Sequence, residues 1–326
     1  MRRLSQLTVV CNHNLLSFEF TMTFILTTSY CFSANAVVEI FKRLSLPTFR
    51  LDVDRYWEYK FLFSDNQFEI INTQGGVLRS DEISHVVIYK ARLPIDEEFH
   101  PDLSITDVKW VRSTLNYVVG SLARWAIQHS CLKLWTPYEI IYPKTFQMDI
   151  AKKYFSVPAY KVHWGFFMES RDVIVKPLIG RPLENKGSFY AKVLNVNSLS
   201  SNYPWFTQEI APGNRDSTVL YINGRVHCYQ FATKREGLTD WRTTQGTDAN
   251  RWEQWKAGGE FEDRVRAYMR EMGLKFGRLD FIIGGKKPQF LEVNPCGQFG
   301  WLDDKQQTLH QEVVEAILDP SSVITL

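Results

Sequence analysis

Gly277-Arg278-Leu279-Asp280, followed after one turn by Phe290-Leu291-Glu292-Val293-Asn294-Pro295, is the stretch that decides how this chain folds. Residues 278–283 and 288–293 read as two strands joined by Gly284-Gly285-Lys286-Lys287. Side chains two apart on a strand point to one face. Glu292 and Asn294 therefore share a face, with the apolar Leu291 and Val293 turned the other way. A hairpin brings Asp280 beside them. Three oxygen donors so arranged suit magnesium, which takes oxygen ligands, keeps several waters and is completed by substrate phosphates. The bland alternative is a polar strand end facing water. The segregation of Leu291 and Val293 speaks against it. The Gly284-Gly285 turn is no dinucleotide fingerprint, because no helix follows it in the required way.

Working outward from this hairpin, residues 206–210 and 218–222 read as strands, and Asn223-Gly224 turns the second back through 226–231. Residues 172–177 form a strand stopped by Pro177. Amphipathic spacing predicts helices over 261–272 and 308–318, and a further helix over 146–155 ends before Val157-Pro158. Ser104 is placed to cap a long helix over 104–128, with Asp107 in its first turn. Nearer the start, strand 23–29, helix 34–44 and strand 47–53 form a strand–helix–strand unit. Its helix carries Ala36, Val37, Ile40, Phe41 and Leu44 at helical spacing. Strands 67–72 and 85–90 follow, around a Gly75-Gly76 turn. The sum is an α/β chain divided at 22–103, 104–205 and 206–326. Residues 1–21 read as an extension outside the first unit, with Met22 directly before the first strand.

Composition narrows the function. The 326 residues suffice for two or three modest domains, and 44% apolar with 23% charged residues is ordinary for a globular chain. A net charge of +2 argues against bulk nucleic-acid or membrane binding. The five cysteines are scattered, with no CxxC or CxxH pair, which suits a reducing compartment and offers no zinc site. Glu19 and many Thr and Ser interrupt the most apolar early stretch, so no membrane span is expected. Arg2, Arg3 and the Ser33-Ala34-Asn35-Ala36 string imitate a secretion signal. Asn12, His13, Asn14 and Glu19 break the apolar region such a signal needs, so the reading is cytoplasmic. Trp241, Trp252 and Trp255 read as packing residues ahead of a peptide groove, and Arg264 and Arg266 as a solvated helix face.

Arg-x-Asp followed by Glu-x-Asn on adjacent strands resembles the metal site of ATP-grasp ligases, and the resemblance extends over most of the chain. It implies an α/β (α+β) ATP-grasp fold: a small N-terminal pre-ATP-grasp domain, a central domain and a C-terminal domain. By that resemblance Asp280, Glu292 and Asn294 hold Mg2+. Lys176, ending Val-Ile-Val-Lys, and Lys144, ahead of the 146–155 helix, resemble the nucleotide lysines. Taken singly either lysine reads as surface charge; their order and spacing favour the ligand role. Gln208, Glu209 and Ile210 fall where the interdomain hinge meets adenine. Asp216 resembles the residue that holds the ribose, and Arg278 the arginine that binds phosphate. Lys234, ahead of Asp240-Trp241-Arg242, resembles a further phosphate or substrate contact.

The longer string Leu291-Glu292-Val293-Asn294-Pro295-Cys296-Gly297-Gln298-Phe299-Gly300-Trp301, with the upstream Asp-Trp-Arg ending in Arg242, is similar to microviridin-type graspetide synthetases. These close ester or amide macrocycles in ribosomal peptides. The resemblance implies ATP and Mg2+ as cofactors and, as partner, a precursor peptide with a leader segment and an acidic core. A homodimer is allowed for. Two departures stand out. Asp216-Ser217-Thr218 replaces the frequent Asp-x-Arg, with Arg215 as the nearby substitute, and the loop over 179–187 has only Gly180 and Gly187. Two rivals remain at this point: an amino-acid or glutamate ligase acting on a protein or small molecule, and a non-catalytic nucleotide-binding module.

Overall fold

The computed structural model describes residues 22–92, 103–136, 142–165, 171–176, 178, 191–232 and 252–325. The extension 1–21, Lys234, Trp241, Arg242 and the loop 179–187 lie outside the described residues.

The chain opens with β1 (Met22–Thr27), α1 (Phe32–Arg43) and β2 (Thr48–Asp52), as the strand–helix–strand pattern requires. β1 is a nearly continuous apolar run because it is the central strand of a parallel sheet. A small antiparallel sheet follows, made of β3 (Tyr59–Ser64), β4 (Gln67–Asn72) and β5 (Val77–Arg79). β6 (Ile83–Ile88) then returns beside β1, giving the parallel order β2-β1-β6. The long α2 (Ile105–Gln128) starts where Ser104 Oγ accepts the Asp107 N–H at 3.2 Å. Its second half buries Val119, Leu122, Ala123, Trp125 and Ala126 against the N-terminal core.

Next come α3 (Lys144–Ala151), β7 (Tyr160–His163), β8 (Asp172–Lys176), β9 (Lys192–Asn195) and β10 (Trp205–Gln208). Their four strands form an antiparallel sheet in the order β7-β10-β8-β9. The helix expected over 146–155 begins two residues earlier, at Lys144, because Pro143 sets the boundary at φ −56°. It also ends earlier, and Tyr154 and Phe155 turn into an aromatic cluster with Tyr268.

The chain closes with β11 (Arg215–Ile222), β12 (Arg225–Phe231), β13 (Trp252–Gln254), α4 (Gly259–Glu271), β14 (Phe276–Ile283), β15 (Gln289–Asn294) and α5 (Thr308–Leu318). The five strands run β13-β12-β11-β14-β15. One face of this sheet packs Val219, Leu279, Phe281 and Val293 on Val265 and Met269 of α4 and Met148 of α3. The other packs Leu220, Ile222 and Phe276 with Val313 and Ile317 of α5 and Val37 and Phe41 of α1. α1 and α5 thus join the first and last sheets in one core. Ile324 packs in the N-terminal cluster, and Val323 bridges to Lys133. Trp252 and Trp255 pack against core clusters, and Arg266 pairs with Glu262 and Asp263 on its own helix. The four described cysteines are buried and none is in a disulfide. Among the described residues no helix is long and apolar enough to cross a membrane.

Candidate active site

The antiparallel pairing of β14 with β15 sets Asp280 directly opposite Glu292, and Arg278 opposite Asn294. A bulge between Asp280 and Phe281 sets this register, because Phe281 then faces Phe290 and Leu291 is passed over. On the other side of β14, Thr218 of β11 faces Asp280. Thr218, Asp280 and Glu292 therefore form one row across three strands. Asp216, two residues before Thr218, shares their face.

Every charge in the row has an opposite neighbour. Arg278 donates to Asp280 through Nε (3.3 Å) and Nη2 (3.1 Å), and the Thr218 hydroxyl donates to Asp280 Oδ1 at 2.9 Å. Lys144 Nζ donates to Glu292 Oε2 at 2.5 Å. Asn294 Oδ1 accepts the Cys296 N–H at 3.3 Å, which tightens the loop after β15. Arg278 also donates to the Gln298 carbonyl at 3.1 Å. Gly297 sits so close to Arg278 that an added Cβ would stand 2.7 Å from the arginine Cβ. Burial keeps the Tyr89 phenol protonated, and its hydroxyl donates to the Gly297 carbonyl at 3.1 Å. The N-terminal sheet thereby anchors the loop under the row.

α3 carries the row toward the four-stranded sheet. Gln147 accepts the Val293 N–H at 3.1 Å and donates to the Tyr142 carbonyl at 2.9 Å, which pins the helix to β15. Lys144 reaches Glu292 from its first turn. One turn later Met148 Sδ accepts from Gln208 Nε2 at 3.8 Å, and Gln208 Oε1 accepts from Lys176 Nζ at 3.1 Å. Lys176, Gln208, Lys144 and the carboxylate row thus surround a single helix.

The hinge residues are divided in role. Gln208 ends β10 between β7 and β8, with its side chain buried. The Glu209 N–H donates to the Ala159 carbonyl at 2.8 Å and its carboxylate accepts from Arg171 at 2.9 Å. Ile210 is partly exposed beyond the strand. Arg215 is not brought to the row: strand alternation turns it away from Asp216, and it donates to the Ala232 carbonyl at 3.1 Å. Thr218 was not among the expected site residues; its position two along from Asp216 is the signal that points to it. A cavity of about 580 Å³ opens elsewhere, between α1 and β2, and contains none of these residues.

Two carboxylates and one amide oxygen on one strand pair fit a hard cation completed by phosphates. Among the described residues no cluster of three His, Cys, Asp or Glu side chains forms a metal site by protein ligands alone.

No protein-family model and no curated protein matches the sequence. Solved structures do match. A RiPP-associated ATP-grasp ligase of Chryseobacterium gregarium, in complex with ADP and a leader and core peptide, superposes with a TM-score of 0.76 at 20% identity, covering 94% of this chain and 100% of that one. The chain has the ATP-grasp fold. Macrocyclase MdnC of Microcystis aeruginosa MRC, bound with precursor peptide MdnA, shares that fold at a TM-score of 0.70 and 16% identity, over 91% of this chain and 99% of that one. ATP-grasp ligase PsnB, complexed with a phosphomimetic variant of minimal precursor, Mg and ADP, follows at 0.68 and 16%, over 92% and 98%. In this chain the four- and five-stranded sheets of that fold meet at α3.

Proposed function

We propose that this chain is an ATP- and magnesium-dependent ligase that closes macrocycles in a ribosomal precursor peptide, joining Asp or Glu side chains to Ser/Thr hydroxyls or a Lys amine. The observation that carries the reading is the Asp280–Glu292 cross-strand pair, with Arg278, Lys144 and Lys176 around it. The similar structures support the acceptor class, because their own ligands are ADP and precursor peptides.

In this reading Asp280, Glu292 and Asn294 would hold Mg2+, which when bound would offset the negative charge of the phosphates. Lys144, Lys176 and Arg278 surround the phosphates, and Lys234 and Arg242 are further candidates for phosphate or substrate contact. Asp216 holds the ribose. The adenine edge meets the Gln208–Ile210 segment through the Glu209 carbonyl and the next N–H groups, since the Glu209 N–H already serves Ala159. A peptide carboxylate oxygen takes the γ-phosphoryl group of ATP, and ADP leaves. The resulting acyl phosphate is attacked at carbon by the hydroxyl or amine; inorganic phosphate departs and the nucleophile's proton passes to solvent. The protein's work is to position the groups and exclude water. In this reading the reaction belongs in the cytoplasm, where ribosomal peptides and ATP are at hand. A homodimer remains allowed for.

The test is incubation with MgATP and the short peptide encoded beside this gene, read by mass spectrometry and ADP release. Macrocyclisation gives loss of one water per ring with one ADP. A mass gain would instead mark an amino-acid ligase, and nucleotide binding without ADP release a non-catalytic module.

A further inference from the structure

Lys90 is a basic side chain near Arg278 that the proposed chemistry leaves unused. It follows Tyr89 at the carboxyl end of β6, and the order β2-β1-β6 reverses direction between β1 and β6. Crevices outside the carboxyl ends of parallel strands at such a reversal are where open α/β sheets bind ligands. Three features set Lys90 apart.

The first is its backbone. Lys90 has φ 55°, in the left-handed region that a long side chain rarely adopts. Two hydrogen bonds hold it there: Arg92 N–H to the Lys90 carbonyl at 2.7 Å and Tyr89 N–H to the Leu26 carbonyl at 3.0 Å. Strain of this kind persists where the surroundings enforce it, and it clusters at ligand sites. The second is its lack of an anion. Lys90 is half-buried, yet its ammonium lies 5.8 Å from the Tyr89 ring centroid and, among the described residues, pairs with no carboxylate. Burial lowers its pKa from the ordinary lysine value; the nearby Cys31 and Cys296 work against that, and the smaller influence of the Arg278 charge works with it. A half-buried cation beside a second cation calls for an anionic partner. The third is its place. Tyr89 holds the Gly297 carbonyl and Arg278 holds the Gln298 carbonyl, so Lys90 and Arg278 flank one loop. Lys144 and Lys176 approach from α3 and the four-stranded sheet, whereas Lys90 comes from the N-terminal sheet.

We infer that Lys90, at the β1–β6 reversal, binds the peptide carboxylate that is to be activated. The inference rests on the ligase reading above and deepens it. A carboxylate held by Lys90 near Arg278 would lie on the side of the row away from the nucleotide lysines, as transfer from the γ-phosphate requires. Lys90 is then a carboxylate-binding residue, recognising an Asp or Glu side chain and discriminating against Asn or Gln.

Lysine footprinting of the full-length protein tests this without requiring turnover. The protein is acetylated in the presence of MgADP, with either the acidic probe acetyl-Ser-Gly-Asp-Glu-Gly-amide or its Asn/Gln counterpart. The inference expects the acidic probe to slow Lys90 acetylation several-fold and the amide probe to leave it unchanged. Equal labelling of Lys90 with both probes would overturn it. Protection of Lys144 and Lys176 by MgADP alone reports separately on the nucleotide reading, so the two can fail independently. With the peptide substrate, Lys90→Met should raise the peptide KM about tenfold while nucleotide affinity stays constant, and Lys90→Arg should recover part of the loss. An unchanged peptide KM in a folded Lys90→Met variant, or an equal fall in nucleotide affinity, would also contradict it.

Discussion

The two sheets that meet at α3 handle charge in different ways. The charged row on the five-stranded sheet pairs ion with ion: Lys144 of α3 with Glu292, and Arg278 with Asp280. These side chains retain between 12% and 25% of their exposure, so each pair is partly screened and holds about 1 kcal/mol at most. In the four-stranded sheet Lys176 is buried and donates to the neutral amide of Gln208, itself held against Met148. The difference teaches how a phosphate ligand would be received. In the proposed reading, binding on the five-stranded side would be an exchange, with phosphates taking the place of carboxylates beside the cations and Mg2+ that of the cations beside the carboxylates. On the four-stranded side the cation is already fixed in place.

The contrast can be broken first at Glu292. Glu292→Gln keeps the shape but removes a charge from the exchange side. ADP release with MgATP and peptide should fall about a hundredfold or more, since each ~1.4 kcal/mol of lost transition-state stabilisation is tenfold. The circular dichroism spectrum should be unchanged. Near-normal turnover would remove the row from the chemistry. Lys176→Met probes the fixed side. It fills the same buried volume and should lower nucleotide affinity about tenfold or more by calorimetry, with rate falling as well. An effect confined to rate would mean that both sides work by exchange.

Two smaller effects sharpen the picture. Gly297→Ala forces a Cβ to within 2.7 Å of the Arg278 Cβ, so the loop under the row must shift. A stability loss of about 1–3 kcal/mol in urea is expected, together with reduced turnover. A neutral result would mean that the loop yields freely. His85 serves as a control outside both sheets. Burial holds its imidazole at about 4, below the ordinary 6.5. Between those values the unfolded chain binds the extra proton. Stability is therefore complete above pH of about 6.5 and is lost as pH falls toward 4. The group is partly solvated, so about 1 kcal/mol is expected at most. His85→Gln should flatten the difference between urea midpoints measured at neutral and acid pH; an unchanged slope would place the acid sensitivity elsewhere.

The sequence made the five-stranded sheet far more readable than the four-stranded one. Asn223-Gly224 announces the β11–β12 hairpin, and the apolar alternation around Glu292 announces β15. β7 and β9 are four-residue edge strands, whose pattern is too short to stand out. β3 escaped for a different reason. Its Phe61, Leu62 and Phe63 are consecutive and exposed, so no alternation marks a buried face. Within the site, Asp280, Glu292 and Asn294 were legible from spacing alone. The bulge that sets Asp280 opposite Glu292 depends on packing around Phe281 and Phe290, which no local pattern encodes. The partners Lys144–Glu292 and Thr218–Asp280 join residues 148 and 62 positions apart and became visible only with the fold.

The central claim is that Asp280 and Glu292 hold the ion that binds the nucleotide's phosphates. Calorimetry of ADP binding, with and without Mg2+, tests it on the wild-type chain and on the double variant Asp280→Asn, Glu292→Gln. Coupling between two ligands is a free energy carried by the groups that sense both. The account predicts that Mg2+ tightens ADP binding to the wild type at least about tenfold, or ~1.4 kcal/mol, and that this gain disappears in the double variant while metal-free ADP binding is kept. An undiminished Mg2+ gain in the double variant would contradict it.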